Sequence, residues 1–246
     1  MPVHFQNFAY SFENQRGKPV FVPSQRGYEI GYELKERVEN AFFIDEMFFH
    51  FRRGGHLGAL HMHRANRYFA RSDLQNFFYS ISKHRVARAL HDTGIAKAGH
   101  FAKWSCVKNP YAPPSYALPY GFVQSPLLAT LVFSRSPIGA FLREIQGRTT
   151  VTVYMDDIAI SSDSLDLLQE IFPLLQAKIE EAQFQINPNK TIAPCPSIEL
   201  FNCGLELNRT AVTEDRVAEF YNEPRSGLSV EAFRRYCASV EHGNRP

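Results

Sequence analysis

Tyr154-Met155-Asp156-Asp157 sets two carboxylates side by side, and Asp73 supplies a third acid far upstream. Adjacent carboxylates repel and raise each other's pKa unless something cationic sits between them. Hard divalent cations relieve that repulsion, because Mg²⁺ takes oxygen from one or two carboxylates and completes its shell with water and phosphate. Phosphoryl transfer with two such ions, about 3.5–4 Å apart, needs a further carboxylate from elsewhere in the fold, and Asp73 is the candidate. Taken alone the acid pair is weak evidence, since aspartate is common in turns.

Elements of the right kind surround these acids. Val151, Val153, Ile158 and Ile160 flank the pair with strand periodicity, which predicts a β-hairpin carrying it in the turn. A short apolar strand over Tyr68–Leu74 ends on the third acid. Gly17 to Pro23 reads as a turn feeding a strand, and Glu29 to Phe43 as a helix with Ile30, Leu34, Val38 and Ala41 at 3.6-type spacing. Lys83 to Leu90 is predicted helical, ending before Gly94, and Pro110, Pro113 and Pro114 mark a loop. Gln124 to Phe133 forms an apolar helix opening on Ser125-Pro126, with proline in its favoured first turn. Leu165, Leu168, Phe172, Leu175 and Ile179 step as a helix does, and Pro173 within that run should kink or split it. Strands and helices mix without strict alternation, which indicates an α+β class.

The length of 246 residues is enough for a buried core, and a hydrophobic content of 44% is ordinary for a soluble globular protein. The net charge of +2 conceals an asymmetry. Phe51 to Lys108 holds 11 Lys and Arg against Asp73 and Asp92, whereas Val151 to Lys190 holds 7 acids against 2 Lys. The basic stretch interleaves His56, His61, His63, Tyr68, Phe69 and Trp104, a mixture suited to phosphates and stacked bases. Arg64 and Arg67 are expected to hold phosphates. His61 and His63 alternate as on a strand, without a Cys or Asp partner nearby that would suggest a metal site. Cys106, Cys195, Cys203 and Cys237 show no paired spacing and are expected to be reduced and buried. The opening residues lack the pattern of a signal peptide, and no run of about 18 apolar residues offers a membrane span.

The odds change with the ordered company of the acid pair. Asp73-Leu74-Gln75-Asn76-Phe77-Phe78 comes first, then Leu118-Pro119-Tyr120-Gly121-Phe122-Val123-Gln124-Ser125-Pro126. The Asp156-Asp157 hairpin follows, then Asn187-Pro188-Asn189-Lys190-Thr191 and Phe201-Asn202-Cys203-Gly204. This series resembles the palm motifs of reverse transcriptases, over roughly Gly17 to Gly204. The resemblance implies a right-hand fingers-and-palm fold, with fingers and the start of the palm in 1–72. The palm would occupy 73–210, with a fingers insertion at about 84–117, and the start of a thumb or connector 211–246. Phe233-Arg234-Arg235-Tyr236 would begin a thumb helix, and a complete thumb is expected to be absent or supplied by a partner or oligomer.

Residue by residue, the resemblance makes Asp73, Asp156 and Asp157 catalytic metal ligands, with the Leu74 carbonyl as a further ligand and Mg²⁺, or Mn²⁺, as cofactor. Phe78 falls on the bulky position that stacks under the nucleotide sugar and excludes a 2′-hydroxyl. Tyr120 and Gly121 would lie at the nucleotide, with Lys190 near its triphosphate as a general acid for pyrophosphate. Lys18, Arg26, Arg52 and Arg53 are triphosphate candidates by charge, and Phe201 to Leu205, including Gly204, matches the primer grip. Two positions depart from the family pattern: Tyr120 stands where glutamine is usual, and Thr130 where asparagine is usual. Such variants resemble bacterial defence-associated, unknown-group and retron-like enzymes. The implied partners are an RNA template or structured non-coding RNA, a DNA product and dNTPs, in a cytoplasmic antiphage setting without a membrane. The rival readings are a retron or mobile-intron enzyme, an untemplated or protein-primed DNA polymerase, and a catalytically idle RNA-binding palm subunit.

Overall fold

The computed structural model describes residues 6–15, 17–111 and 113–245, so part of the N-terminal stretch read for a leader lies outside the described residues. The chain begins with β1 (Phe8–Glu13), β2 (Pro19–Pro23), α1 (Gln25–Ala41), α2 (Gly55–His63), β3 (Tyr68–Asp73) and α3 (Phe77–Ser80). It continues through α4 (Lys83–Asp92), α5 (Ala98–Ser105), β4 (Val107–Lys108), β5 (Tyr116–Ala117), α6 (Ser125–Ser134) and α7 (Pro137–Ile145). There follow β6 (Thr150–Tyr154), β7 (Asp157–Ser162), α8 (Leu165–Glu181) and β8 (Ile192–Cys195). β9 (Ser197–Leu200), β10 (Cys203–Glu206), β11 (Arg209–Val212), α9 (Glu214–Tyr221) and α10 (Gly227–Glu241) complete it. Two compact units divide these elements, residues 1–45 with 75–140 and residues 46–74 with 141–246.

In the first unit, β1 and β2 pair antiparallel, and α1 packs on α5, which in turn packs on α4. α1 begins a turn earlier than its periodicity suggests, because the Ser24 hydroxyl accepts from the Gly27 amide at 3.2 Å and caps the helix. Gly27 fits there because a Cβ would meet the Asn7 carbonyl at 2.3 Å. α6 is buried along its whole length, as its continuous apolar run requires.

The second unit is organised by a four-stranded sheet in the order β6-β7-β3-β8. Its antiparallel register pairs Phe69 with Ser161, Arg71 with Ala159 and Asp73 with Asp157. Opposed residues share a face, so one face runs from core to polar along β3. Phe69 and Ala159 join Leu60, Ile198, Leu200, Cys203, Leu205 and Val240 in a buried cluster, which welds the sheet to α2, the β9-β10-β11 sheet and α10. Arg71, Asp73 and Asp157 continue that face toward the hairpin tip. α8 packs on β3, β7 and β8 through Leu168, Ile171, Phe172, Leu175 and Ile179.

Two expectations from the sequence fail here. His61 and His63 lie on a helix, α2, rather than a strand. Arg64 holds no open phosphate position but clamps the C-terminal segment, donating to the His242 carbonyl at 2.7 Å and Asn244 Oδ1 at 3.1 Å. Pro173 does not split α8; the proline and Gln169, whose carbonyl loses its helical donor, are both exposed, so water can satisfy it. Of the cysteines, Cys106 and Cys203 are buried thiols while Cys195 and Cys237 are half-buried, all four free. Among the described residues no single helix is long and apolar enough to cross a membrane.

Gly121 is required by geometry. Its φ of +100° lies in the left-handed region, and a Cβ would meet the Phe21 carbonyl oxygen at 2.2 Å. Gly121→Ala is therefore expected to cost about 3 kcal/mol, read as a lower urea midpoint. An unchanged midpoint would show that β2 does not hold this turn.

Candidate active site

The second unit brings the three acids together by register alone. Asp73, the last residue of β3, faces Asp157, the first of β7, and the Leu74 amide donates to the Asp156 carbonyl at 2.9 Å. Tyr154 and Asp157 close the β6–β7 hairpin, leaving Met155 and Asp156 as a two-residue turn. Met155 takes a φ of +57°, an uncommon conformation for a non-glycine side chain of the kind concentrated at functional sites. The Met155 amide is satisfied by His50 Nδ1 at 3.2 Å, and burial pulls the His50 pKa down to about 4, which keeps that nitrogen an acceptor.

Like charges directly opposed across a sheet destabilise it, and the protein supplies cations against them. Asp73 is 3% exposed; its Oδ1 accepts from Asn187 Nδ2 at 2.9 Å. Asp73 Oδ2 lies 3.6 Å from Lys190 Nζ and 4.0 Å from Arg71 Nη2. Arg71 Nε and Nη2 both donate to Asp157 Oδ1, at 2.8 and 2.5 Å. Even so, burial pushes the Asp157 carboxyl up to about 6; Arg71 opposes the rise, while Asp156 and Asp73 add to it. A carboxylate this reluctant to ionise is one that a divalent cation would favour. Among the described residues no three or more His, Cys, Asp or Glu side chains are already arranged to hold a metal ion. The carboxylates offer oxygen donors alone, the kind that Mg²⁺ takes together with water and phosphate.

Two further features border the acids. The β9–β10 turn, Phe201-Asn202, has both residues at positive φ, +58° and +59°, the signature of a type I′ hairpin usually made with Asn-Gly. A phenylalanine held there is strained, and its ring packs 5.4 Å from Tyr154 and 5.9 Å from His56. His56, Tyr154, Phe201, Asn202, Arg216, Phe233 and Tyr236 line a cavity of about 410 Å³.

Behind the hairpin, His63 is fully buried and bonds Ser161 Oγ and Thr152 Oγ1, each at 2.7 Å. Asn66 Nδ2 donates to the same Ser161 oxygen at 2.7 Å. Both ring nitrogens of His63 are thus satisfied by hydroxyls. Burial drives the His63 pKa down to about 3.

The first unit carries the other expected site residues. Phe78 is 7% exposed, with its ring edge-on to Tyr120 at 4.8 Å. Lys18 Nζ lies 3.4 Å from the Tyr120 hydroxyl and 5.4 Å above its ring, and the Tyr120 carbonyl accepts from Phe21 at 2.9 Å. Arg26 is exposed on α1 and paired with Glu29 at 3.0 Å. Arg52 and Arg53 belong to the second unit; Arg52 donates to the Glu46 carbonyl at 2.7 Å, and Arg53 is an exposed turn residue. Arg85, counted with the basic stretch, is sunk so far that its pKa falls to about 10. Sequence reasoning passed over Arg71, Asn187 as a partner of Asp73, and His50. Arg71 was legible in principle, two residues before Asp73 and so on the same face of a strand; the other two arrive through the fold.

The reverse transcriptase (RNA-dependent DNA polymerase) family matches residues 19–207. The Escherichia coli retron Ec86 reverse transcriptase is 27% identical over 177 residues, covering 69% of this chain and 51% of its own length. The chain thus spans about half the length of that relative. The solved foamy viral protease-reverse transcriptase dRH in complex with ds DNA is 18% identical, with a TM-score of 0.53 over 91% of this chain and 34% of that one. Its likeness is one of fold, and the α+β fingers-and-palm class expected from the motifs is the class observed. The chain belongs to the reverse transcriptase family.

Proposed function

We propose that this chain is an RNA-directed DNA polymerase that extends a 3′-hydroxyl with deoxynucleotides. The observation that carries the reading is the register that sets Asp73 against Asp157, with Asp156 in the adjoining turn, in a chain of this family. Mg²⁺ or Mn²⁺ held by Asp73, Asp156, Asp157 and the Leu74 carbonyl would lower the pKa of the attacking hydroxyl and neutralise the leaving pyrophosphate. Lys190, beside Asp73, is placed to give a proton to that leaving group. The Phe201–Gly204 hairpin, whose Phe201 ring meets Tyr154 edge-on, would steady the primer strand. Arg26 and Arg53 remain candidates for the triphosphate, Tyr120 and Gly121 for the incoming nucleotide. In domain terms we assign fingers and the start of the palm to 1–72, the palm to 73–210 with an insertion at about 84–117, and a thumb start or connector to 211–246.

The partners we assign are a structured RNA as template or activator and a DNA product, which the retron relative supports. An antiphage role in the cytoplasm rests on the resemblance to defence-associated enzymes. The test is primer extension with Mg²⁺, labelled dNTPs and a primed RNA template. Incorporation on that template supports the reading, incorporation without any template favours an untemplated polymerase, and no incorporation with any primer or RNA sinks it.

Phe78→Val tests the sugar gate. If the Phe78 ring bars a 2′-hydroxyl, the preference for dCTP over CTP is expected to fall roughly 100-fold in single-nucleotide extension. Unchanged selectivity would make Phe78 a packing residue of the Phe77–Tyr120 aromatic group.

A further inference from the structure

Arg71 occupies a position no part of the reaction described above uses. It stands on β3 two residues before Asp73, on the same sheet face and diagonal to Asp157. Its side chain is 12% exposed, between carboxylates that are 4% and 16% exposed. The fork spends two donors, Nε and Nη2, on the single oxygen Oδ1 of Asp157, and Nη2 also faces Asp73 Oδ2 at 4.0 Å. The remaining arm, Nη1, donates to the Glu199 carbonyl at 3.1 Å. Glu199 lies on β9, directly before the Phe201-Asn202 turn. The guanidinium thus bridges the two opposed acids while tied to the foot of the neighbouring hairpin.

We propose that Arg71 is a built-in counter-ion that holds the metal-free site together and competes with the divalent cation for Asp157. The proposal rests on the reading of Asp73, Asp156 and Asp157 as metal ligands. Two opposed, largely buried carboxylates need positive charge between them in every state of the protein. Arg71 supplies it when no cation is bound. A cation that takes Asp157 competes with a guanidinium that already holds Oδ1 through two donors and keeps its tie to the Glu199 carbonyl. Metal loading is thereby coupled to the β9–β10 hairpin, the candidate primer grip. Arg71 acts as a positioning residue, setting how tightly the acids bind metal.

The experiment is Mn²⁺ binding to the purified chain without nucleic acid, read as loss of the free Mn²⁺ EPR signal, for wild type, Arg71→Met, Arg71→Lys and Asp157→Asn. Arg71→Met is expected to melt at a lower temperature in EDTA yet bind Mn²⁺ roughly tenfold more tightly, since one competing charge within about 4 Å is gone. A residue with a merely structural role would weaken both properties when removed. Affinity in Arg71→Met equal to or weaker than wild type overturns the proposal while leaving the metal centre standing. If Arg71→Met does not fold, Arg71→Lys decides: it keeps the charge but loses the fork, so severalfold tighter binding supports the proposal and unchanged binding overturns it. Wild type that binds no more Mn²⁺ than Asp157→Asn overturns the metal-centre reading, and the proposal with it.

Discussion

Asp156→Asn and Asp157→Asn are each expected to lower primer extension by about 10³-fold or more, equivalent to about 4 kcal/mol of barrier, in a chain that still folds. On the proposed reading, the loss follows from removing an anionic oxygen donor from a site that would hold divalent charge against phosphate. The fold is spared because the hairpin is fixed by backbone pairing and by the buried residues behind it, not by the acids. Asp157 goes further. Its carboxyl titrates near 6 in the folded chain, above its value in an unfolded one, so its contribution to stability is full below about pH 4 and is lost as pH rises through 6. In EDTA at pH 7.5, Asp157→Asn removes a charge the fold resists and is expected to melt no lower than wild type. A variant both inactive and at least as stable identifies an acid kept for chemistry at a cost in stability. An active Asp157→Asn would sink the polymerase assignment.

Acid is expected to unfold the metal-free protein through its buried imidazoles. The His63 pKa, about 3, and the His50 pKa, about 4, lie below the ordinary histidine value of 6.5. Their stabilising contribution is present above 6.5 and is lost as pH falls, because the unfolded chain takes up two protons that the folded one refuses. Asp157 works the other way, taking up one proton in the folded state as pH falls through 6. The balance is a net loss of about 1.4 kcal/mol per pH unit between pH 6 and 4.5 from these three groups. Urea unfolding across that window in EDTA checks it. Asp157→Asn should roughly double the slope, and His63→Gln should nearly flatten it. A wild-type slope of zero, unchanged in both variants, would mean that neither imidazole is held neutral by its burial.

The chemistry of this protein is written locally. An acid pair between two alternating apolar runs dictates a hairpin with the acids at its tip, because strand periodicity and turn formation are short-range properties of the chain. The Asp73 strand, the Ser125-Pro126 helix start and the general α+β class were legible for the same reason. Other readings failed where burial decides. His63 looked like a strand residue among basic neighbours, but α2 sinks it against β6 and β7, where two hydroxyls satisfy it. Arg64 and Arg85 counted as free positive charge in the sequence, whereas one anchors the chain's last helix and the other is largely buried.

What the tertiary structure alone decided is pairing over distance. No periodicity states that Asp73 will face Asp157 rather than Ala159; a one-residue slip would turn every side chain of β3 to the other face. That register is set by burying Phe69 and Ala159 together with Leu60 and the β9-β10-β11 sheet. Once it is set, Arg71 must lie between the acids and Asn187 must reach Asp73. The sequence determined which residues could perform the chemistry, and packing of the core determined which of them meet.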